Sequence, residues 1–400
     1  MFLLFLVFLI APGARAGSVR LSPNSAVSIL TCDPGTQPYA IFGHNAIRIQ
    51  DSSIDLDVVF NFGTFNFEDP HFYSKFIGGD LNYYLSTTSF EEFLEEYEED
   101  HRTVWEQVLN MNLDEKQLLT DRLFENAREQ NKYYKYNFFF DNCSTRIRDD
   151  VEGIFPNHLQ LTDSFPGENK TFRQWITKYF AFNPWAGFGI NICLGLPADK
   201  HASREEQMFL PSNLHDAMGH FLVTHDRKLV SAEKLYDFNQ PADNKAYNKG
   251  PAIQHHNNLS SPVPFFWLIF VLYGLLAAWE WRSGKRSMIP DFILFSSTGL
   301  VGLFLLYLWL GTHHSVAKFN LNLIWSCPLN LLAIFSPAGL RKYYFSFYSV
   351  LLSLFLVFFL LFTKYFDWAI LPLILTLLIR SVGLPNDHPA IIFSPAVTDN

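Results

Sequence analysis

The sequence predicts an α+β exported domain followed by an all-α transmembrane domain of about five helices. Three observations carry this expectation. The N-terminus is a short apolar segment with an export pattern, residues 17–250 mix strand and helix periodicities, and everything after residue 262 is built from repeated apolar runs.

The opening "MFLLFLVFLIAPGARAG" has a ten-residue apolar core followed by Ala14, Arg15 and Ala16, the small-x-small pattern of a signal-peptidase site. Residues 1–16 therefore read as a signal peptide, with Gly17 first in the mature chain. The apolar core is too short to cross a bilayer, which favours export with cleavage over anchoring.

In the exported domain, "ILTCDPG", "GHNAIRI" and "DVVFNFGTFNF" read as early strands, the last with a bend at Gly63. Ser89 and Glu92 form a capping box that opens an acidic helix. "TVWEQVLNMNL" reads as a further strand and "DEKQLLTDRLFENAREQ" as a second helix. A third helix starts at Cys143, because Asn142 is a good N-cap and Ile147, Val151 and Ile154 fall on one face. The polar, Pro/Asn/Gly-rich stretch 239–264 closes the domain, with residues 251–262 as linker.

Apolar runs follow at 263–281, 291–311, 322–338, 344–363 and 367–382, and residues 384–400 form a tail. The third run is interrupted by Pro328 and Asn330, so it either crosses or re-enters. If it crosses, Arg282, Lys285, Arg286, Arg341, Lys342 and Arg380 share one side, opposite Lys318 and Lys364. If it re-enters, the division is even. The positive-inside rule favours five crossings, with the exported domain outside and the C-terminal tail in the cytoplasm. His313 and His314 then lie under the domain near headgroup depth.

The net charge of -9 comes without any Lys/Arg-rich tract, which argues against a nucleic-acid partner. Four cysteines are too few for a disulfide scaffold, and none has metal-ligand spacing. His215, His220 and His225 scatter round a helix instead of converging. No cofactor or metal is expected. Cys32 and Cys193 are candidates for a disulfide, which would leave Cys143 free.

"FFFDNCSTRIRDD" sets Cys143 between an apolar run and a cluster of charges. A helix N-terminus stabilises a thiolate and offers unpaired N–H groups, at Asn142 and Ser144 among others, to an oxyanion. Free cysteines are also among the most buried residues, so a structural role is the competing reading. His44, after Gly43 at a strand start, is a candidate base, although such a histidine is equally compatible with a structural role. Asn61, and after it Asp57, are candidates to orient it. Arg146 and Arg148 would either meet a phosphate or form salt bridges with Asp149 or Asp150.

Taken together, "YAIFGHNAIRI", "VFNFGTFNFEDPHFYSKFIGGDLNYYL", "YNFFFDNCSTRIRD", "GLPAD" and "GTHHSVAKFNLNLIWSCPLNLL" resemble the Lnb-type bacterial lipoprotein N-acyltransferases over nearly the whole chain after the signal. The soluble part is also similar to permuted papain-like domains of the NlpC/P60 and lecithin:retinol acyltransferase kind, where the histidine strand precedes the cysteine helix. The resemblance implies an enzyme of the bacterial inner membrane with its catalytic domain in the periplasm. It implies a phospholipid acyl donor, a Cys143 thioester made with His44 as base and acid, and a diacylated apolipoprotein as acceptor. His313 and His314 would line the lipid entry. Two other readings use the same residues: a membrane-anchored thiol hydrolase, and a non-catalytic lipid- or lipoprotein-binding protein.

Overall fold

The computed structural model describes residues 19–37, 39–165, 167–224, 226–238 and 261–383. The expected signal peptide, the tail and all but the end of the linker lie outside the described residues.

The strands β1 (Ala26–Cys32), β2 (His44–Asp51), β3 (Leu56–Thr64), β4 (Asn82–Ser89), β5 (Val104–Leu109) and β6 (Tyr133–Lys135) follow one another along the chain. They are followed by β7 (Leu159–Leu161), β8 (Phe221–Val223), β9 (Arg227–Lys228) and β10 (Val230–Tyr236). A seven-stranded sheet runs β10-β5-β1-β2-β3-β4-β6, antiparallel throughout, and β7, β8 and β9 make a small second sheet. Gly63, at φ +93°, sits where the β3–β4 register shifts, so the expected bend is a bulge that glycine's missing Cβ permits.

The helices of this domain are α1 (Phe72–Gly78), α2 (Phe90–Glu99), α3 (Leu113–Asn126), α4 (Cys143–Glu152), α5 (Phe172–Thr177), α6 (Pro184–Cys193) and α7 (Pro211–Met218). Capping boxes start α2 at Ser89 and α3 at Asn112. One face of the sheet packs α3, α4 and α7 around Ile29, Ile47, Phe60, Leu119, Ile147 and Val151. The other packs α2 through Phe93 and Tyr97 onto Leu30, Ala46 and Val59. Arg48 is buried on that side and bonds both Asp57 (2.6 Å) and Glu106 (3.0 Å) while stacking on Phe90. A buried cation is tolerated there because its charge and its donors are satisfied.

After the linker come α8 (Pro262–Ser283), α9 (Met288–Leu310), α10 (Asn330–Ala333), α11 (Ala338–Leu361) and α12 (Ile370–Gly383). Three of them, α8, α9 and α11, are long and apolar enough to cross a membrane, and α12 is a shorter apolar helix. The run 322–338 is not the fifth long helix that was expected. Pro328 lacks the N–H a helix needs, and the run breaks into short turns and the four-residue α10. It nevertheless lies antiparallel along α9: Phe319 meets Trp309, Phe335 meets Phe292, and a Cβ added at Gly302 would fall 1.6 Å from the Ser326 carbonyl oxygen. Side chains satisfy its irregular backbone and one another. Ser326 donates to the Asn322 carbonyl (2.8 Å), Tyr348 to the Trp325 carbonyl, and Tyr344 to the Asn330 side chain (2.7 Å).

Cys32 and Cys193 are not joined, and all four cysteines are free. Cys32 lies in the core under α2, whereas Cys193 ends α6, whose last carbonyls are held by Asn320 and Asn322 of the loop after α9. That loop also joins the two regions main chain to main chain: the Gly195 N–H donates to the Val316 carbonyl (2.8 Å), and a Cβ at Gly195 would lie 1.8 Å from the Lys318 carbonyl oxygen.

Four charges lock the far end of the helices. Arg380, 1% exposed, bonds Asp291 (2.5 Å) and Glu280 (2.5 Å), and Arg286 bonds Asp291 (3.0 Å). Arg380→Ala leaves buried Glu280 without its ion-pair partner and Asp291 with Arg286 alone. The expected cost is about 3–5 kcal/mol, read as a lowered Tm of the detergent-solubilised chain, with Glu280→Gln on the Arg380→Ala background recovering part of it.

Candidate active site

The site forms where the start of β2 meets the start of α4. Asn142 caps α4 by accepting from the Thr145 N–H (2.9 Å), and its own N–H donates to the Thr145 hydroxyl (2.8 Å). Its side-chain amide donates to the carbonyls of Phe138 (2.8 Å) and Phe209 (2.7 Å). One buried side chain thus fixes the helix start, the preceding turn and a distant segment. Cys143 is the first residue of α4 and is 7% exposed.

Two consecutive residues of β2 face two consecutive residues of α4. His44 lies within electrostatic reach of Cys143, and Asn45 accepts from the Ser144 hydroxyl (2.7 Å) while its amide donates to Thr31 (2.7 Å). On the adjacent strand, the Asn61 Oδ1 lies 3.3 Å from the His44 Nε2. Ile47 pairs with Phe60, so both residues fall at the same end of neighbouring strands. Asp57 is at the other end of β3 and is taken by Arg48.

Burial favours the neutral thiol of Cys143, but the facing His44, the Asn45 backbone N–H and the Ser144 hydroxyl hold its pKa below the ordinary value. Burial likewise disfavours an imidazolium at His44, and Arg102 opposes it too, yet Cys143 and Asn61 raise its pKa above the usual value. The two shifts run in opposite directions, as they must for a thiolate–imidazolium pair.

The expected arginines are occupied. Arg146 forms a fork on Asp141 (2.6 and 2.9 Å) with its guanidinium 3.5 Å from the Tyr134 ring centroid, and Arg148 bonds Asp149 (2.6 Å) and the Glu205 carbonyl. His313 and His314 lie apart from the pair, at the junction with the helical region: the His313 N–H donates to the Gly78 carbonyl (2.9 Å), and the His314 ring lies 3.1 Å from the Phe76 carbonyl. Between these places, the Asn137 amide donates to the Ser315 hydroxyl (3.1 Å) five residues before Asn142.

Sequence reading missed Asn45, which carries no signal beyond its place after His44, and the pair Tyr134 and Tyr136. Both tyrosines lie within electrostatic reach of Cys143, and the Tyr134 hydroxyl is buried with no hydrogen-bond partner. Their spacing of two in "YYKYN" is the signal that puts them on one side of an extended segment.

Residues 15–178 match the model of the Lnb N-terminal periplasmic domain, and residues 254–384 match that of the Lnb transmembrane domain. The chain belongs to the Lnb family. The order of the two matches agrees with the fold, a sheet-rich α+β domain ahead of apolar helices, and identifies a membrane protein with a periplasmic N-terminal domain. No curated protein and no solved structure matches the Lnb chain.

His44→Ala removes the group that most favours the thiolate. The pH midpoint for iodoacetamide alkylation of Cys143 is expected to move up, and the rate at pH 7 to fall by roughly tenfold. An unchanged midpoint, followed by mass spectrometry, would separate the two residues. Asn142→Ala loses the cap and leaves two carbonyls without their donor, so about 2 kcal/mol or more of stability is expected to go, measured as a lowered Tm.

Proposed function

We propose that this protein is a lipoprotein N-acyltransferase of the bacterial inner membrane, working through a Cys143 acyl-enzyme. The observation that carries the reading is a Cys143–His44 pair whose domain is hydrogen-bonded through its backbone to the loop following a membrane-length helix, in a chain of the Lnb family. A thiol placed beside the membrane suits an acyl donor that never leaves it. The histidine strand preceding the cysteine helix supports a permuted papain-like reading of the domain, and the run along α9 supports five crossings.

The chemistry divides into two halves. The Cys143 thiolate attacks an ester carbonyl of a phospholipid, and the N–H groups at the start of α4 that the Asn142–Thr145 capping box does not take, those of Cys143 and Ser144, stabilise the oxyanion. Collapse breaks the ester C–O bond, and the His44 imidazolium protonates the departing lysophospholipid. In the second half, the α-amino group of a diacylated apolipoprotein cysteine attacks the thioester. Neutral His44 accepts the amine's proton, the C–S bond breaks, and the amide product leaves Cys143 as thiolate. Asn61 would hold the imidazole in the useful orientation, as third members of such sites do.

Proteoliposomes holding the chain and a diacylated apolipoprotein should convert the N-terminal lipopeptide to its triacylated form, read by mass spectrometry. Cys143→Ala should lower conversion on the order of a thousandfold. Intact mass under turnover should show an acyl adduct at Cys143 that hydroxylamine removes. Release of free fatty acid without lipopeptide acylation would make the protein a hydrolase, and full function in Cys143→Ala would make it a binder.

A further inference from the structure

The short helix α1 and the strands behind it carry a row of aromatic rings that the catalytic reading leaves unused. At the outer edge Tyr73, Phe67 and Phe76 are 78%, 60% and 51% exposed, far more than a soluble surface usually allows for neighbouring aromatics. Their height relative to the membrane is set by the chain itself. The carbonyls of Gly78 and Phe76, at the end of α1, contact His313 and His314, three and four residues after the end of α9. Leu310, the last residue of α9, is 72% exposed, so the end of α1 is tied within a few residues of the exposed apolar end of a membrane-length helix.

The row leads inward. Phe76 stacks on Phe72 (6.0 Å between centroids), Phe72 on Phe65 (5.7 Å), Phe65 meets Tyr83 edge-on (5.4 Å), and Tyr83 stacks on Tyr136 (4.5 Å). A Cβ added at Gly63 would lie 3.4 Å from the Tyr136 ring, and Gly63 is two residues from Asn61, which touches His44. The ladder thus begins at the surface level of α9 and ends beside the catalytic pair.

We propose that α1 is a lip seated in the outer leaflet and that the row from Phe76 to Tyr136 is the wall along which a phospholipid acyl chain reaches Cys143. The occupant is lipid because the end of α1 is hydrogen-bonded three and four residues beyond a membrane-length helix, which sets its exposed rings at the level where that helix leaves the bilayer. Aromatic rings suit this position, since they bury large apolar area at the interface while tolerating water at their edges. The assignment rests on the acyl-enzyme reading only for the destination of the chain, not for the seat of α1 in the membrane.

The test places p-benzoylphenylalanine at position 76, 83 or 118 of the full chain, in vesicles of phosphatidylethanolamine and phosphatidylglycerol whose acyl chains end in an alkyne. Leu118, exposed on α3, is the reference. Photolysis should attach lipid at 76 and 83 roughly tenfold above 118, as expected for groups sunk to the acyl boundary. Position 65 replaces 83 if that labelled chain does not fold. The same adducts should form in Cys143→Ser protein, so a failure of the acyl-enzyme chemistry reads out separately. Absence of lipid at 76 or at the wall position, equal labelling at 118, or a second protein chain in place of lipid at 76 would overturn the proposal.

Discussion

The cap that Asn142 places on α4 is the contact on which the rest of the site depends. It is one side chain with three partners from three parts of the chain: the Thr145 N–H, the Phe138 carbonyl and the Phe209 carbonyl. Because the helix cannot start elsewhere, Cys143 cannot turn away from His44, nor Ser144 from Asn45. The phenylalanines just before it add the second constraint. Phe139 is buried against Phe172 and Phe209, so the turn is pinned by apolar packing on one side and by hydrogen bonds on the other.

The buried charges and the polar groups of the broken run follow one rule. Arg48 under α2, the four charges at the end of the helices, and the asparagines and tyrosines along the broken run are each buried or half-buried with partners that satisfy them. The broken run shows why this matters: without a continuous helix, its backbone can lie against α9 only where side chains and glycines supply the bonds and the space. Gly302 supplies the space, and Asn322 and Asn330 supply bonds.

Local signals were legible and long-range ones were not. The capping box at Ser89, the helix start at Asn142, the bend at Gly63 and the apolar face of α4 all express physics acting within a few residues, and all can be read from the text. The short strands β6 to β9, the edge strand β10 and the helices α5 to α7 are held by distant partners, as β10 is by β5, and they left no periodic trace. Hydropathy marked the third run as apolar and Pro328 as its interruption, but could not show that it breaks into short turns and a four-residue helix packed along α9. In the site, Cys143, His44 and Asn61 could be named from residue type and place. Asn45 and the fork of Arg146 on Asp141 needed the fold, because side-chain partners across 99 residues, as for Ser144 and Asn45, have no sequence signature.

Gly195 has the broadest mechanical consequence. Where the Lys318 carbonyl occupies the space of a side chain, and Val316 is bonded one step away, the two regions share a seam that any side chain at position 195 would split. The thiol's domain is thus stitched to the helical region main chain to main chain, as a tool is bolted to a bench. In the proposed reaction, the donor must rise to the thiol and the acceptor must bring its amine to the same point.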